Sequence, residues 1–494
     1  VSVSTGGGAL PVTRVSGDGA DYINWSNNGS EIHWSLGPTL YTVQTSALFT
    51  NAPAAEGAKP AKFEPPKTGV SLSMTIDADR PKGRVALLGA KIVSMANADG
   101  GIIDDGAILI EGDRIKAIGK RGEVSIPAGT PTVDVSGKTI MPGLVDAHAH
   151  GPYGVDEMNV QQNWAEMVNL AMGVTTRHDP SSSAATVFPA LEMQRAGLTI
   201  GPRSFSTGEI IYGAKQADVY AQIDGIEDAR SHVRRLKAQG AHSVKNYNQP
   251  RREQRQQVIA AAIEENMRSV AEGGSLFGFD MALIADGNTT IEHNLPVSTF
   301  YNDVLQYFSK SKTGYTHTLV VTYGGPAGDP YWRSHTEVWK QPILQKHEPP
   351  SVLAAANARR QIAPDEDYVD AASAREAHKL AKLGVPVSIG AHGQEPGIAA
   401  HWELWSFVRG GMNPVEALTA GTIGAARSLG YDRDVGSLEV GKLADLVVLD
   451  ADVSADIRNS EKISKVMIGG HLYDAATLNE EATGTRKRKP YFWE

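Results

Sequence analysis

Residues 143–150 read GLVDAHAH: an apolar start, Gly143-Leu144-Val145, running into Asp146, His148 and His150. An apolar run that turns polar at its end predicts a buried strand whose tip carries chemistry. Along a strand, residues i and i+2 point to the same face, about 6.5 Å apart. His148 and His150 therefore share a face, and two imidazoles so placed can hold one metal ion. By itself a His-x-His pair is equally a polar rim. The remainder of the chain decides between the two.

Outward from this strand, short apolar segments alternate with helical stretches over residues 141–435. Eight segments read as strands: 143–149, 174–179, 202–207, 242–247, 268–272, 289–294, 316–322 and 386–391. Between them, RREQRQQVIAAAIEEN (251–266) has apolar residues at helical spacing. Strands and helices in strict alternation predict a parallel sheet with crossover helices, and eight such units predict an α/β fold of the (β/α)8 TIM-barrel type. An open doubly wound sheet is the rival, but no glycine-rich dinucleotide fingerprint follows the first strand. The long connection before the eighth strand is expected to be a lid.

The flanks read differently. Segments 84–140 and 436–475 alternate at period two, with a hairpin turn at Glu111-Gly112-Asp113. They are expected to combine into one discontinuous β-sandwich. Residues 1–80 hold a β-meander with turns at Asn27-Asn28-Gly29 and Gly37-Pro38, ending in a linker rich in Pro, Ala and Lys. The repeated Trp25-Ser26 and Trp34-Ser35 resemble a blade of a TolB-type β-propeller. A lone blade leaves edges exposed, so a remnant packed on the main body, or a second chain carrying the rest of the propeller, is expected. Val1 reads as a cut edge of something larger. The basic run Arg486-Lys487-Arg488-Lys489, in the 476–494 tail, is expected to be solvated.

Composition removes whole classes of function. The 494 residues carry a net charge of −9, which argues against phosphate backbones and acidic membranes as partners. Without cysteine there is no disulfide framework, no thiolate metal site and no Cys nucleophile. No apolar run approaches the ~20 residues of a membrane span. Zero cysteine together with the propeller echo suits a periplasmic or secreted bacterial protein.

Later strand ends are polar as well. Lys245 lies in HSVKNY, Glu272 ends the fifth strand, His293 the sixth and His392 the eighth. Singly each is ordinary: a snorkelling lysine, a solvated carboxylate, hydrogen-bonded core histidines. Jointly they resist a packing explanation, because a barrel interior favours branched apolar side chains. Tyr212, Tyr247 and His317 are candidate substrate contacts, and His178 and Asp179 candidate partners behind the metal ligands. His401, Trp402 and Trp405 read as helix packing.

GLVDAHAH, the lysine in VKNY, His293 and the split β-segments with GSLEVGKLADLVVLD together resemble the amidohydrolase superfamily, in particular its large TolB-propeller-linked branch related to imidazolonepropionase- and prolidase-like members. The resemblance spans about residues 84–475. It implies a metal-dependent hydrolase that cleaves an amide, peptide or cyclic amide C–N bond with a metal-activated hydroxide. Its cofactor would be one or two divalent ions, zinc first, with manganese or iron as alternatives. His148 and His150 match the first-strand metal pair, Lys245 the fourth-strand lysine that is carboxylated in many members, and His293 the sixth-strand ligand. Glu272 stands where a histidine ligand is usual and His392 where the catalytic aspartate is usual. Both are also taken as ligands, and the base is left between His392 and the spare carboxylate Glu395. The same site could hydrolyse a lactone or organophosphate ester, and a degenerate site would leave a non-catalytic binding or scaffold protein. A small-molecule or peptide substrate and a homo-oligomer are expected, with no nucleic-acid or membrane partner.

Overall fold

The computed structural model describes residues 12–49, 63–155, 158–214, 221–274 and 276–494. Parallel strands form two sheets. One holds Leu144–Asp146, Val174–Asp179 and Arg203–Ser206. The other holds Ser243–Asn246, Arg268–Glu272, Thr290–Glu292, Gly314–Thr316 and Val387–Ser388, in that order. Their ends meet through the backbone. Ala147 N donates to Ile389 O (3.1 Å) and His392 N to His148 O (2.8 Å) on one side. On the other, Ile211 N donates to Lys245 O (2.9 Å) and Tyr247 N to Ile211 O (3.1 Å). The result is a mixed α/β barrel with an added β domain.

The helices follow the strands on the outside. Arg252–Glu264 buries Val258, Ile259, Ala261 and Ala262 while Glu253 and Ile263 stay exposed. This is the apolar stripe that a 3.6-residue period produces. The seventh strand lies earlier than the apolar run 316–322 suggests. Thr318 takes a left-handed φ of 47°, which ends extended backbone. Leu319–Val321 then forms a 3-10 turn packed against helix Ile398–Arg409. The connection beyond it is helical: Gly328–His335, Pro342–His347, Pro350–Asn357 and Asp370–Lys382.

The added β domain draws on both flanks of the barrel. Thr139–Pro142 lies between Arg84–Val93, which it meets in parallel, and Leu446–Leu449, which it meets antiparallel. Ile463–Ile468 and His471–Asp474 extend the sheet on one side, Ile102–Glu111 and Arg114–Lys120 on the other. Gly112 sits at φ 60° in the two-residue turn between the last pair. Alternate side chains (Leu87, Ile108, Ile110, Ile140, Leu446, Val448) make its core.

The N-terminal strands Asp21–Trp25, Glu31–Leu36, Thr39–Gln44 and Val70–Ser71 form a four-stranded antiparallel sheet with a small core of Ile32, Trp34, Val43 and Leu48. It rests on helix Ile226–Gln239. Asp18 accepts from Arg234 at 2.8 Å, and Gln239 Nε2 donates to Asp21 at 2.8 Å. Gly37, at φ 53°, makes the approach possible: a Cβ there would stand 2.1 Å from Ala238 O. The first 11 residues and much of the linker (50–62) lie outside the described residues. In the C-terminal basic run Lys487 and Lys489 are exposed, as expected of a solvated tail, whereas the two arginines are docked. Arg486 pairs with Asp79 at 2.7 Å and Arg488 with Glu494 at 2.8 Å, while the Tyr491 hydroxyl reaches His347 Nδ1 at 2.7 Å. Among the described residues no helix is long and apolar enough to cross a membrane.

Candidate metal centre

Four strand ends deliver imidazoles or carboxylates to one point. His148 and His150 follow the first strand, and their Nε2 atoms face each other at 3.2 Å. Each ring is fixed from behind by a carboxylate. His148 Nδ1 donates to Glu292 Oε2 at 2.6 Å, and His150 Nδ1 donates to Asp179 Oδ1 at 3.1 Å. An ionised carboxylate can only accept, so against Asp179, and against Glu292 in its ionised form, the rings hold their proton on Nδ1 and leave the Nε2 lone pair bare. Two bare lone pairs 3.2 Å apart need a cation between them. His392 completes the set: one nitrogen from each of His148, His150 and His392 lies within 4.8 Å of the others.

A second group adjoins the first. Lys245 Nζ meets Glu272 Oε2 at 2.6 Å, and His293 Nε2 meets Glu272 Oε1 at 3.2 Å. The His148 and His293 ring centroids are 4.8 Å apart, and those of His293 and His392 5.3 Å. His293 Nδ1 is held by Thr318 Oγ1 at 2.7 Å. His293 and His392 both adopt left-handed backbone, φ 70° and 59°. Non-glycine residues take that region only where surrounding contacts fix it, and such residues cluster at functional sites. Here His293 N donates to Thr316 O and His392 N to His148 O, both at 2.8 Å.

Electrostatics suits a metal. Burial, helped by the positive charge of Lys245, holds His148 well below the ordinary histidine range. Burial likewise lowers His392 to about 3, with His150 and His293 adding to it, and lowers His293. These imidazoles are neutral at pH 7, the state that ligates. Burial pushes Glu272 up, but Lys245 and His293 outweigh it, so the carboxyl lies far below its usual value and is ionised. Glu292 is raised by burial to about 7, and Asp146 by burial to about 6.

The remaining predicted residues take varied places. Lys245 is buried and ion-paired to Glu272, so as an ammonium it is the counter-charge of that carboxylate. Glu395 does not join the cluster; its carboxylate meets Arg333 at 2.6 Å, which corrects its reading as a spare base. His317 is fully buried with its ring on Tyr315, centroids 3.7 Å apart, and neither nitrogen finds a partner. Burial lowers it to about 3, and it lines the core, in contrast to the substrate contact expected of it. Tyr212 and Tyr247 are half-buried and meet edge to face, centroids 5.1 Å apart. Asp179 does hold a site histidine, whereas His178 turns to Ser243 Oγ at 2.8 Å. Sequence reasoning missed Glu292, Thr318 and Tyr323, whose ring lies 5.5 Å from His293. Glu292 was hidden by alternation: in TTIEHN it adjoins His293, and period two would turn it to the opposite face. Tyr323 carried no signal.

An α/β barrel whose strand tips gather neutral histidines and an ionised carboxylate around one point has the build of a metallohydrolase. Comparison with known proteins points the same way. The sequence profile of the Amidohydrolase family matches residues 352–473. The imidazolonepropionase of Symbiobacterium thermophilum is 26% identical over 411 residues, which is 75% of this chain and 91% of that protein. Among solved structures, a Xaa-Pro dipeptidase with methionine bound in its active site superposes with TM-score 0.61 at 20% identity, over 79% of this chain and all of its own. The A. niger ochratoxinase does so with TM-score 0.60 at 19% identity, over 83% of this chain and 99% of its own. The chain is thus similar to the Amidohydrolase family over residues 352–473 and to an imidazolonepropionase over 75% of its length.

Proposed function

We propose that the chain is a metal-dependent hydrolase that cleaves the C–N bond of an amide, a small peptide or a cyclic amide. The observation that carries this is the opposed pair of bare Nε2 atoms on His148 and His150, backed by carboxylates and joined by His392. An all-histidine donor set suits zinc. Bound there, the ion supplies a Lewis acid that acidifies water and polarises a carbonyl oxygen. With His392 among the ligands, Glu272 is the base: it is the ionised carboxylate facing the same point, and its Oε1 takes the proton that water loses. Glu272 would then return that proton to the departing nitrogen, while His293 Nε2 donates to Oε1 and holds the carboxylate in place. Lys245 keeps Glu272 charged. Tyr212, Tyr247 and Tyr323 form the wall that orients the substrate.

This arrangement needs one ion. A carboxylated Lys245 would be an anion against Glu272 and would break the 2.6 Å pair, so we infer an unmodified lysine. We also infer that the two parallel sheets are one (β/α)8 ring, and that the N-terminal sheet is a single propeller blade. Trp25 and Ile23 lie exposed on its edge strand, where a second chain would continue the propeller.

Metal analysis of the purified protein, with activity measured before and after chelation, tests the reading. The expected result is one zinc per chain, activity on a dipeptide or cyclic amide lost with the metal and restored by zinc. A metal-free protein, or hydrolysis indifferent to chelator, overturns it. A lactone and a phosphotriester in the same panel separate ester from amide preference.

A further inference from the structure

The insertion between the seventh and eighth strands touches the loop that carries His392 through an unusual contact. Glu348, at the end of helix Pro342–His347, and Glu395, three residues beyond His392, are 1% and 3% exposed, and their carboxyls act on each other directly. Two carboxylates cannot hydrogen-bond, because both only accept; one must hold a proton. Glu348 Oε2 and Glu395 Oε1 are both buried without a hydrogen-bond partner, and a proton between them would satisfy both. Arg333 settles which is which. Its Nη2 lies 2.6 Å from Glu395 Oε2, its Nε 3.0 Å from Asp329 Oδ1, and its guanidinium 5.3 Å above the Trp402 ring. Glu395 is thus the charged member, and Glu348 the protonated one. Burial and the charge of Glu395 raise Glu348 to about 9, with Arg333 opposing in part.

The loop needs such a hold. His392, Gly393 and Gly397 all lie at positive φ, 59°, 73° and 74°. A histidine in that region is disfavoured by about 1 kcal/mol, so the contacts around it must specify it. On the strand side they do. Glu403 accepts from Gly390 N at 3.2 Å, and Asp146 accepts from Ala391 N at 3.0 Å. Past His392 the charge-assisted tie is Glu395, and it runs to Arg333 and Glu348 in the insertion.

We propose that Glu348 shares its proton with Glu395, and that this clamp positions the loop presenting His392 to the metal centre. Glu348 and Arg333 are then positioning residues; neither touches substrate. The functional half of the proposal rests on the metallohydrolase reading above, whereas the shared proton does not.

Glu348→Gln and Glu348→Ala, made in the full chain and loaded with zinc, test both halves. Glutamine keeps a donor toward Glu395, so Glu348→Gln should hold kcat within about twofold at pH 7. Glu348→Ala should lower kcat by roughly 10–100-fold with zinc content and KM unchanged, because a misplaced ligand loop costs turnover. Wild-type activity should fall as pH rises through about 9, where Glu348 ionises against Glu395, and Glu348→Gln should lack that fall. The infrared difference between wild type and Glu348→Gln at pH 7 should contain the carbonyl stretch of a protonated carboxylic acid. Absence of that band removes the shared proton. Wild-type kcat in Glu348→Ala removes the positioning role, and if that variant does not fold, an alkaline fall that persists in Glu348→Gln does the same. If the wild type itself hydrolyses nothing, the infrared band still decides the proton, and the failure belongs to the functional reading.

Discussion

Glu292→Ala probes the centre through a residue that would not touch the metal. Glu292 Oε2 lies 2.6 Å from His148 Nδ1, and the two side chains are 2% and 1% exposed. The carboxylate also accepts from Thr290 Oγ1 at 2.8 Å. Truncation leaves a buried Nδ1–H without an acceptor, which costs about 1–3 kcal/mol. The ring can escape that cost by moving its proton to Nε2 and donating to His150 Nε2, 3.2 Å away. That tautomer closes the metal position. Zinc affinity should therefore fall by roughly 10–100-fold, the range for such supporting partners, or about 1.4–2.7 kcal/mol. Glu292→Gln, whose amide oxygen still accepts from Nδ1, should lose less. Competition against a chromophoric chelator at fixed pH reads the dissociation constant, and circular dichroism confirms the fold. Unchanged affinity in folded Glu292→Ala would refute the claim that Glu292 fixes the tautomer of His148.

Three further outcomes are expected. Arg177→Met should destabilise the protein by about 3–5 kcal/mol, read from the urea midpoint, because it leaves the buried Glu166 of helix Trp164–Ala171 without its counter-charge and frees the His150 carbonyl that Arg177 Nη2 holds at 3.0 Å; a shift below about 1 kcal/mol contradicts the buried pair. Burial raises Asp280 to about 7, so the folded state binds a proton that the unfolded chain releases near 4. Its contribution to stability is complete below pH 4 and is lost as pH rises through 7; Asp280→Asn should flatten that part of the stability–pH curve, and an unaltered slope disproves the assignment. His317→Leu should leave KM within about twofold, since a partnerless core histidine offers the substrate nothing; a large rise in KM would return His317 to the substrate wall.

How much could be read from residues alone is clearest at particular positions. Period-two pairing put His148 and His150 on one face, and strand alternation placed Lys245, Glu272, His293 and His392 at neighbouring tips. These are local geometric facts that a linear pattern carries. The seventh strand was misplaced because Thr-Leu-Val-Val is apolar in either conformation; the left-handed Thr318 that bends it away answers to the packing of helix Ile398–Arg409. His317 reads like its neighbours in the sequence, yet it points into the core.

The roles of the carboxylates were beyond linear inspection. Asp179 backs His150 across 29 residues and Glu292 backs His148 across 144. Glu395, adjacent to the site in sequence, is turned away by an arginine from the insertion. The chain's periodicities determined an alternating α/β architecture and a set of inward-facing donors. Tertiary structure decided which donor meets which, because an imidazole's tautomer and a carboxyl's charge depend on burial and on partners that folding brings from distant segments.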